Sequence, residues 1–166
     1  MLQPVRRRTW APSGQTPIQK SWDRHERLSA ISGITISPRR NRLGMPFRIY
    51  RHNIRFLEVL LFLKVIHHHL RRKFILILDR YSVHRKAVRL LDCKHPDWFE
   101  VEWLPPYAPD LNPAEQIWNH SKYSDLANFI PQHVEHLYQE LTNSLWNQKH
   151  NTNLIRSFFK LAKLKL

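Results

Sequence analysis

The segment FILILD, residues 74–79, constrains the fold more than any other part of this 166-residue chain. It is a continuous apolar run of strand length that ends in an acid. Such a run fits a strand covered on both faces, at the centre of a mixed or parallel sheet. Its surroundings agree with layered packing. LSAISGITIS (28–37) puts Leu28, Ala30, Ile34 and Ile36 on one face with the period of a strand, and a basic turn, PRRNRLG, leads to a short strand at FRIY (47–50). Residues 54–70 read as a buried helix, RKAVRLLD (85–92) has helical spacing, and WFEVEWL (98–104) is the next strand. A helix is expected from Pro113 to about Phe129; beyond it Val134, Leu137, Tyr138, Leu141 and Leu145 form one apolar helical stripe. Residues 1–27 read as an edge strand and loop with turn signals at APSG (11–14) and Pro17. Early strands followed by alternating helices and strands indicate an α/β layer architecture.

The length suits one domain, which at this size buries roughly 70% of the surface its unfolded chain exposes. Composition then narrows the partners. A net charge of +14 and a pI near 10.5 point to a polyanion, nucleic acid before membrane. The clusters at Arg6, Arg7 and Arg8, at Arg39, Arg40 and Arg42, and at 71–73 are candidates to track DNA phosphates. Three glycines, none in a phosphate-cradling loop, argue against the common nucleotide-binding folds. The single cysteine, Cys93, excludes an internal disulfide and fits a reducing compartment. With only His95 beside it, it is far short of a zinc site. The longest apolar run, IRFLEVLLFLKVI (54–66), carries three charges and is too short to span a bilayer, and no apolar stretch follows the RRR at the N-terminus. His67, His68 and His69 follow one another on a helix, point about 100° apart and cannot converge on one metal.

Two acids stand out. Asp79 ends the apolar strand, where α/β folds commonly build sites; it is a candidate ligand, or a cap of the following helix, or a partner of Arg80 or Arg85. Glu115 lies 36 positions on, in LPPYAPDLNPAEQIW (104–118). Asn112 suits an N-cap, Pro113 suits the first helical position, and Glu115 then falls where a capping box places its acid. Prolines 105, 106, 109 and 113 stiffen the same loop, and rigid support is what a Mg²⁺-binding carboxylate needs. Both readings of Glu115 stand on the sequence.

ILDRYSVHR (77–85), the spacing to LPPYAPDLNPAEQIW, and RRRTWAPSGQTP (6–17) followed by LSAISGITISPRR (28–40) resemble the catalytic domain of DDE transposases. The group is the mariner-like superfamily with its bacterial insertion-sequence members. The resemblance implies a ribonuclease H-like fold, a mixed sheet flanked by helices, over residues 1–145, with 146–166 as a basic amphipathic C-terminal helix. It implies that acids bind two Mg²⁺ or Mn²⁺ ions, and that water and then a 3′-hydroxyl are activated to cut and join DNA. Carried over by position, Asp79 is the second acid and Glu115 the third; His84 contacts phosphate or fixes the turn, with Arg85 beside it.

The family's first aspartate lies on the first strand, before the RRRTW hairpin. The chain opens there with MLQPV, and Asp23 and Glu26, in a polar loop, are poor substitutes. The expectation is therefore a catalytic domain lacking much of its first strand, its first aspartate and the helix-turn-helix region, with little activity alone. Its partners would be transposon-end and target DNA, and a second copy or a fragment carrying the missing parts. It would act in the cytoplasm at the nucleoid, with no membrane. The alternatives are a non-enzymatic nucleic-acid-binding remnant, an inhibitor of an intact transposase, and an RNA-binding protein of ribosomal type.

Overall fold

A computed structural model describes residues 10–15, 27–39, 42–106 and 108–166. The early strands form one long hairpin in two pieces. β1 (Ser29–Ser32) pairs antiparallel with β4 (Phe47–Tyr50), and β2 (Thr35–Ile36) with β3 (Leu43–Gly44). Ser32 faces Phe47 and Thr35 faces Gly44, so the register is unbroken across the gap, where Gly33 N–H reaches Pro46 O at 3.1 Å. Pro46 has no N–H to return, which explains the interruption. Ala30 and Ile34 pack against the core, but Ile36 at the tip is exposed rather than buried with them. Earlier in the chain, the APSG turn closes with Gln15 N–H on Pro12 O at 3.0 Å, and Gly14 takes the positive φ (81°) that such a turn requires.

α1 (Phe56–Leu70) buries Val59, Phe62, Leu63 and Ile66, and Arg71 ends it in the left-handed region. It is half-buried, not buried all round: Leu57, Leu61 and Val65 lie on its exposed side. β5 (Phe74–Leu78) pairs parallel with β6 (Phe99–Trp103), and α2 (Ser82–Lys94) crosses between them, burying Ala87, Val88 and Leu91. Among the described residues, the expected cover on both faces of β5 is found on one face only. Ile75 and Ile77 are 65% and 61% exposed, opposite the exposed Glu100 and Glu102 on β6. Leu76 alone faces fully inward, because α1 and α2 pack on that side only.

After β6 the chain forms one 3₁₀ turn (Pro109–Leu111), α3 (Glu115–His120), a π-helical turn (Ser121–Asp125), α4 (Val134–His150) and α5 (Thr152–Leu161). Two sequence expectations shift here. α3 stops at His120 and widens, with Leu126 N–H on Ser121 O at 2.9 Å, instead of running to Phe129. α4 runs through position 146 to His150, and Asn151 breaks the path by capping α5, accepting the Leu154 N–H at 3.0 Å. The apolar face of the tail helix is not left for a partner: Ile155, Phe158 and Phe159 are buried in the core.

Two cores result. One joins the hairpin, α3, α4 and α5 around Met45, Ile117, Leu141 and Leu145; the other joins β5, β6, α1 and α2 around Val59, Leu63, Leu76 and Phe99. Trp103 packs against the second core and Trp118 against the first, in keeping with packing roles. His67 stacks on Trp98 (4.1 Å, 6°), which stacks on His95 (3.9 Å, 6°), so one of the three consecutive histidines is held by aromatic packing. Among the described residues no helix is long and apolar enough to cross a membrane.

Candidate metal-binding site

β5 and β6 end together: Leu78 is opposite Trp103, and Leu104 N–H donates to Leu78 O at 2.8 Å. Asp79 follows at that end. Arg80 turns away to place its Nε–H on Leu104 O at 3.3 Å, so it ties the strand ends rather than pairing with the acid. Asp79 Oδ1 accepts the Tyr81 N–H at 3.1 Å and lies 2.6 Å from His84 Nδ1, on the first turn of α2. This is the turn-fixing arrangement, with the histidine orienting the carboxylate. Asp79 Oδ2 takes no hydrogen bond among the described residues.

Glu115 comes from the other side. Asn112 Oδ1 accepts the Ala114 N–H at 3.1 Å, and the N–H groups of Glu115, Gln116 and Ile117 reach back three residues to start α3. Only half of the capping box is built. The Asn112 N–H that Glu115 would take donates instead to Pro109 O at 2.9 Å, because the 3₁₀ turn at Pro109 claims it. The Glu115 carboxylate accepts no hydrogen bond among the described residues, so capping does not account for it. Ile117, fully buried, seats the helix that carries it. Burial raises the Glu115 pKa above the ordinary carboxylate value, and the charge of Asp79 raises it further. The two acids therefore feel one another, although they come from elements on opposite sides of the proline loop.

Two hard oxygen donors with unengaged lone pairs fit a divalent cation such as Mg²⁺ or Mn²⁺. Among the described residues no group of three or more His, Cys, Asp or Glu is assembled. Compared with known families, residues 1–137 match the model of the DDE superfamily endonucleases. The chain belongs to the DDE superfamily endonucleases. Use of divalent metal is general in that superfamily. Among solved structures, the crystal structure of the Mos1 strand transfer complex matches with a TM-score of 0.53 and 17% identity, over 98% of this chain and 50% of that one. The DDE superfamily chain thus spans half the length of that solved relative and shares its ribonuclease H-like α/β fold. No curated protein matched.

In this DDE superfamily chain the other expected DNA contacts fall in different places. Arg6, Arg7, Arg8 and Arg40, with Asp23 and Glu26, lie outside the described residues. Arg39 and Arg42 are exposed at the β2–β3 turn, closed by Ser37 N–H on Arg42 O at 2.9 Å. Arg85 is exposed on the first turn of α2, next to His84. Pro113 starts the turn that Asn112 caps. Sequence reasoning missed a further basic cluster around the start of α1. Its signal was present: RHNIR (51–55) holds two arginines and a histidine in the short loop between β4 and α1.

Proposed function

We propose that this chain is a transposase-family domain that cuts DNA and joins strands, with Asp79 and Glu115 as carboxylate ligands for Mg²⁺ or Mn²⁺. The observation that carries the reading is the pair itself. One acid ends β5 and the other begins α3, no Lys or Arg pairs with either among the described residues, and burial plus mutual repulsion holds Glu115 in a state that a divalent ion would relieve. A bound divalent cation would supply charge neutralisation at a phosphodiester and acidify the attacking water. The residues of this chain do the rest. His84 and the Tyr81 N–H fix one oxygen of Asp79 and leave the other for the ion. The Asn112 turn fixes the direction from which Glu115 approaches. In the cutting step the oxygen of water bonds to phosphorus, the P–O3′ bond breaks and a 3′-hydroxyl leaves. In joining, the oxygen of that hydroxyl bonds to the phosphorus of a target phosphodiester, the target's P–O3′ bond breaks, and the target's 3′-oxygen leaves as a hydroxyl, taking up the proton that the attacking hydroxyl loses.

With two carboxylates, and no third donor clustered with them among the described residues, binding to the ion is weak. The two-metal clamp acts as a unit, so we infer that the chain alone nicks DNA slowly. We infer that transposon-end and target DNA are its partners, with a second copy of the chain or a partner fragment beside it, at the nucleoid. The test is Mn²⁺-dependent nicking of supercoiled DNA. Little nicking is expected from the chain alone, and Mn²⁺ binding followed by calorimetry should be lost in both Asp79→Asn and Glu115→Gln. Robust nicking that Asp79→Ala abolishes would overturn the inference of low activity. Ion binding indifferent to both substitutions would overturn the site. The second outcome favours the other reading, a non-enzymatic DNA binder or inhibitor of an intact transposase, which the charge of +14 supports.

A further inference from the structure

A groove of about 740 Å³ opens where β4 leads into α1. Arg27, Arg51, His52 and Arg55 line it, and neither Asp79 nor Glu115 does. Among the described residues Glu58 is the one acid on its walls, and both its oxygens are engaged: Oε2 accepts the Arg55 N–H at 2.7 Å, and Oε1 lies 3.2 Å from His52 Nε2. The first of these contacts, capping α1, holds the Glu58 carboxyl below its usual pKa. No carboxylate pairs with Arg27 or Arg55 among the described residues.

Arg51 is held differently. Its guanidinium donates to Glu135 Oε2 and lies 5.8 Å over the Tyr138 ring, two residues one turn apart on α4. Both members of the pair are substantially exposed, so it contributes little to stability and exchanges readily for another anion. The guanidinium is in effect presented to the groove by α4, with a carboxylate standing where a phosphate oxygen would bind. The groove also meets α2, since Lys86 Nζ sits 4.2 Å over the ring of Phe56, a wall residue. Lys86 follows His84 and Arg85, so a polyanion lying along the outer side of α2 would run from the neighbourhood of Asp79 towards the groove.

We propose that this groove is a second contact for the DNA phosphate backbone, with Arg27, Arg51 and Arg55 as its cationic ligands and Glu135 as an internal competitor that a phosphate displaces. The proposal rests on the reading of the chain as a DNA-cutting domain only for its choice of polyanion. Fluorescence anisotropy with a duplex in EDTA, at a series of salt concentrations, tests it without involving the metal site. Arg27→Gln/Arg55→Gln should flatten the plot of log affinity against log salt by about 2, at roughly 0.9 per phosphate contact. Between 50 and 200 mM salt the parent chain should then lose about tenfold more affinity than the double variant. Glu135→Gln, which frees Arg51, should bind severalfold more tightly at low salt and steepen the plot by about 1. An unchanged slope in the double variant would overturn the proposal, as would equal flattening in Lys122→Gln/Lys149→Gln, which changes basic residues off the groove. Displacement of the duplex by inorganic phosphate beyond the effect of matched ionic strength would mark a site for free phosphate and overturn it too. Because no metal is present, failure of the Asp79–Glu115 reading leaves these slopes as they are.

Discussion

Replacing Ser144 with alanine should destabilise the chain by about 2 kcal/mol, through one hydroxyl group that is not its own. Ser144 is the hub of a buried polar cluster behind α3. It donates to Asp125 Oδ2 at 2.7 Å and lies 2.9 Å from Ser121 Oγ and 3.2 Å from Gln148 Nε2. Truncation affects the three partners unequally. Asp125 has a side chain 31% exposed and can rehydrate. Gln148 keeps its bond to Ser121 at 2.7 Å. Ser121, with no exposed surface, keeps that incoming bond but loses the acceptor for its own proton. One buried donor left without a partner costs about 1–3 kcal/mol. With a urea m-value of about 2 kcal/mol/M, the midpoint should fall by about 1 M. Urea unfolding followed by tryptophan fluorescence reads this directly, with exposed Asn143→Ala on the same helix as the control, expected within about 0.5 kcal/mol of the parent. Ser121→Ala/Ser144→Ala should cost less than the sum of its single changes, since the orphan donor is then gone. A single variant as mild as the control, or an additive double variant, would refute the reasoning.

Three further outcomes are expected. Glu115→Gln should make the metal-free chain more stable at neutral pH: the folded pKa is raised, so between the ordinary carboxylate value and the raised one the folded chain holds more protons, and stability falls as pH climbs through that window. The advantage of the variant should vanish at pH values below that window, as urea titrations across pH would show. Asn112→Ala removes the acceptor for the Ala114 N–H and should cost about 1 kcal/mol in thermal or urea unfolding, with a further loss of Mn²⁺ affinity from a looser Glu115. Leu141→Ala, at a position without exposed surface in the first core, should cost about 2–5 kcal/mol, enough to unfold a marginal domain on warming, as calorimetry would detect.

How much of this was legible beforehand depended on whether the signal was local. β5, β6 and the early hairpin follow from apolar runs and alternation, and both acids stand out as candidates from their places at a strand end and a helix start. The end of α3 was not legible. Its π turn is stabilised by Ser121, Ser144 and Gln148, which lie up to 27 positions apart in sequence and look like ordinary polar helix residues. The tail helix showed its amphipathic pattern clearly, but a pattern does not say what the apolar face meets; here it meets the chain's own core. The apolar run of β5 suggested two covered faces, whereas among the described residues one face is open. The capping reading of Glu115 was reasonable from spacing and failed because a preceding 3₁₀ turn had already taken the Asn112 N–H. The groove at α1 was overlooked because its cations come from Arg27 and from a loop separated from it by the whole hairpin.

The division into two cores has a consequence for how a bound ion would be felt. Asp79 extends from the strand pair of one core, and Glu115 from the helix that Ile117 anchors in the other. A divalent ion held by both carboxylates would be a further cross-link between bodies of packing that the chain already joins where β4 leads into α1 and where β6 leads to α3. Binding only the folded chain, at a hundred times its dissociation constant it would add about 2.7 kcal/mol. That energy would act on the seam, so the two halves should melt more nearly as one unit when metal is present.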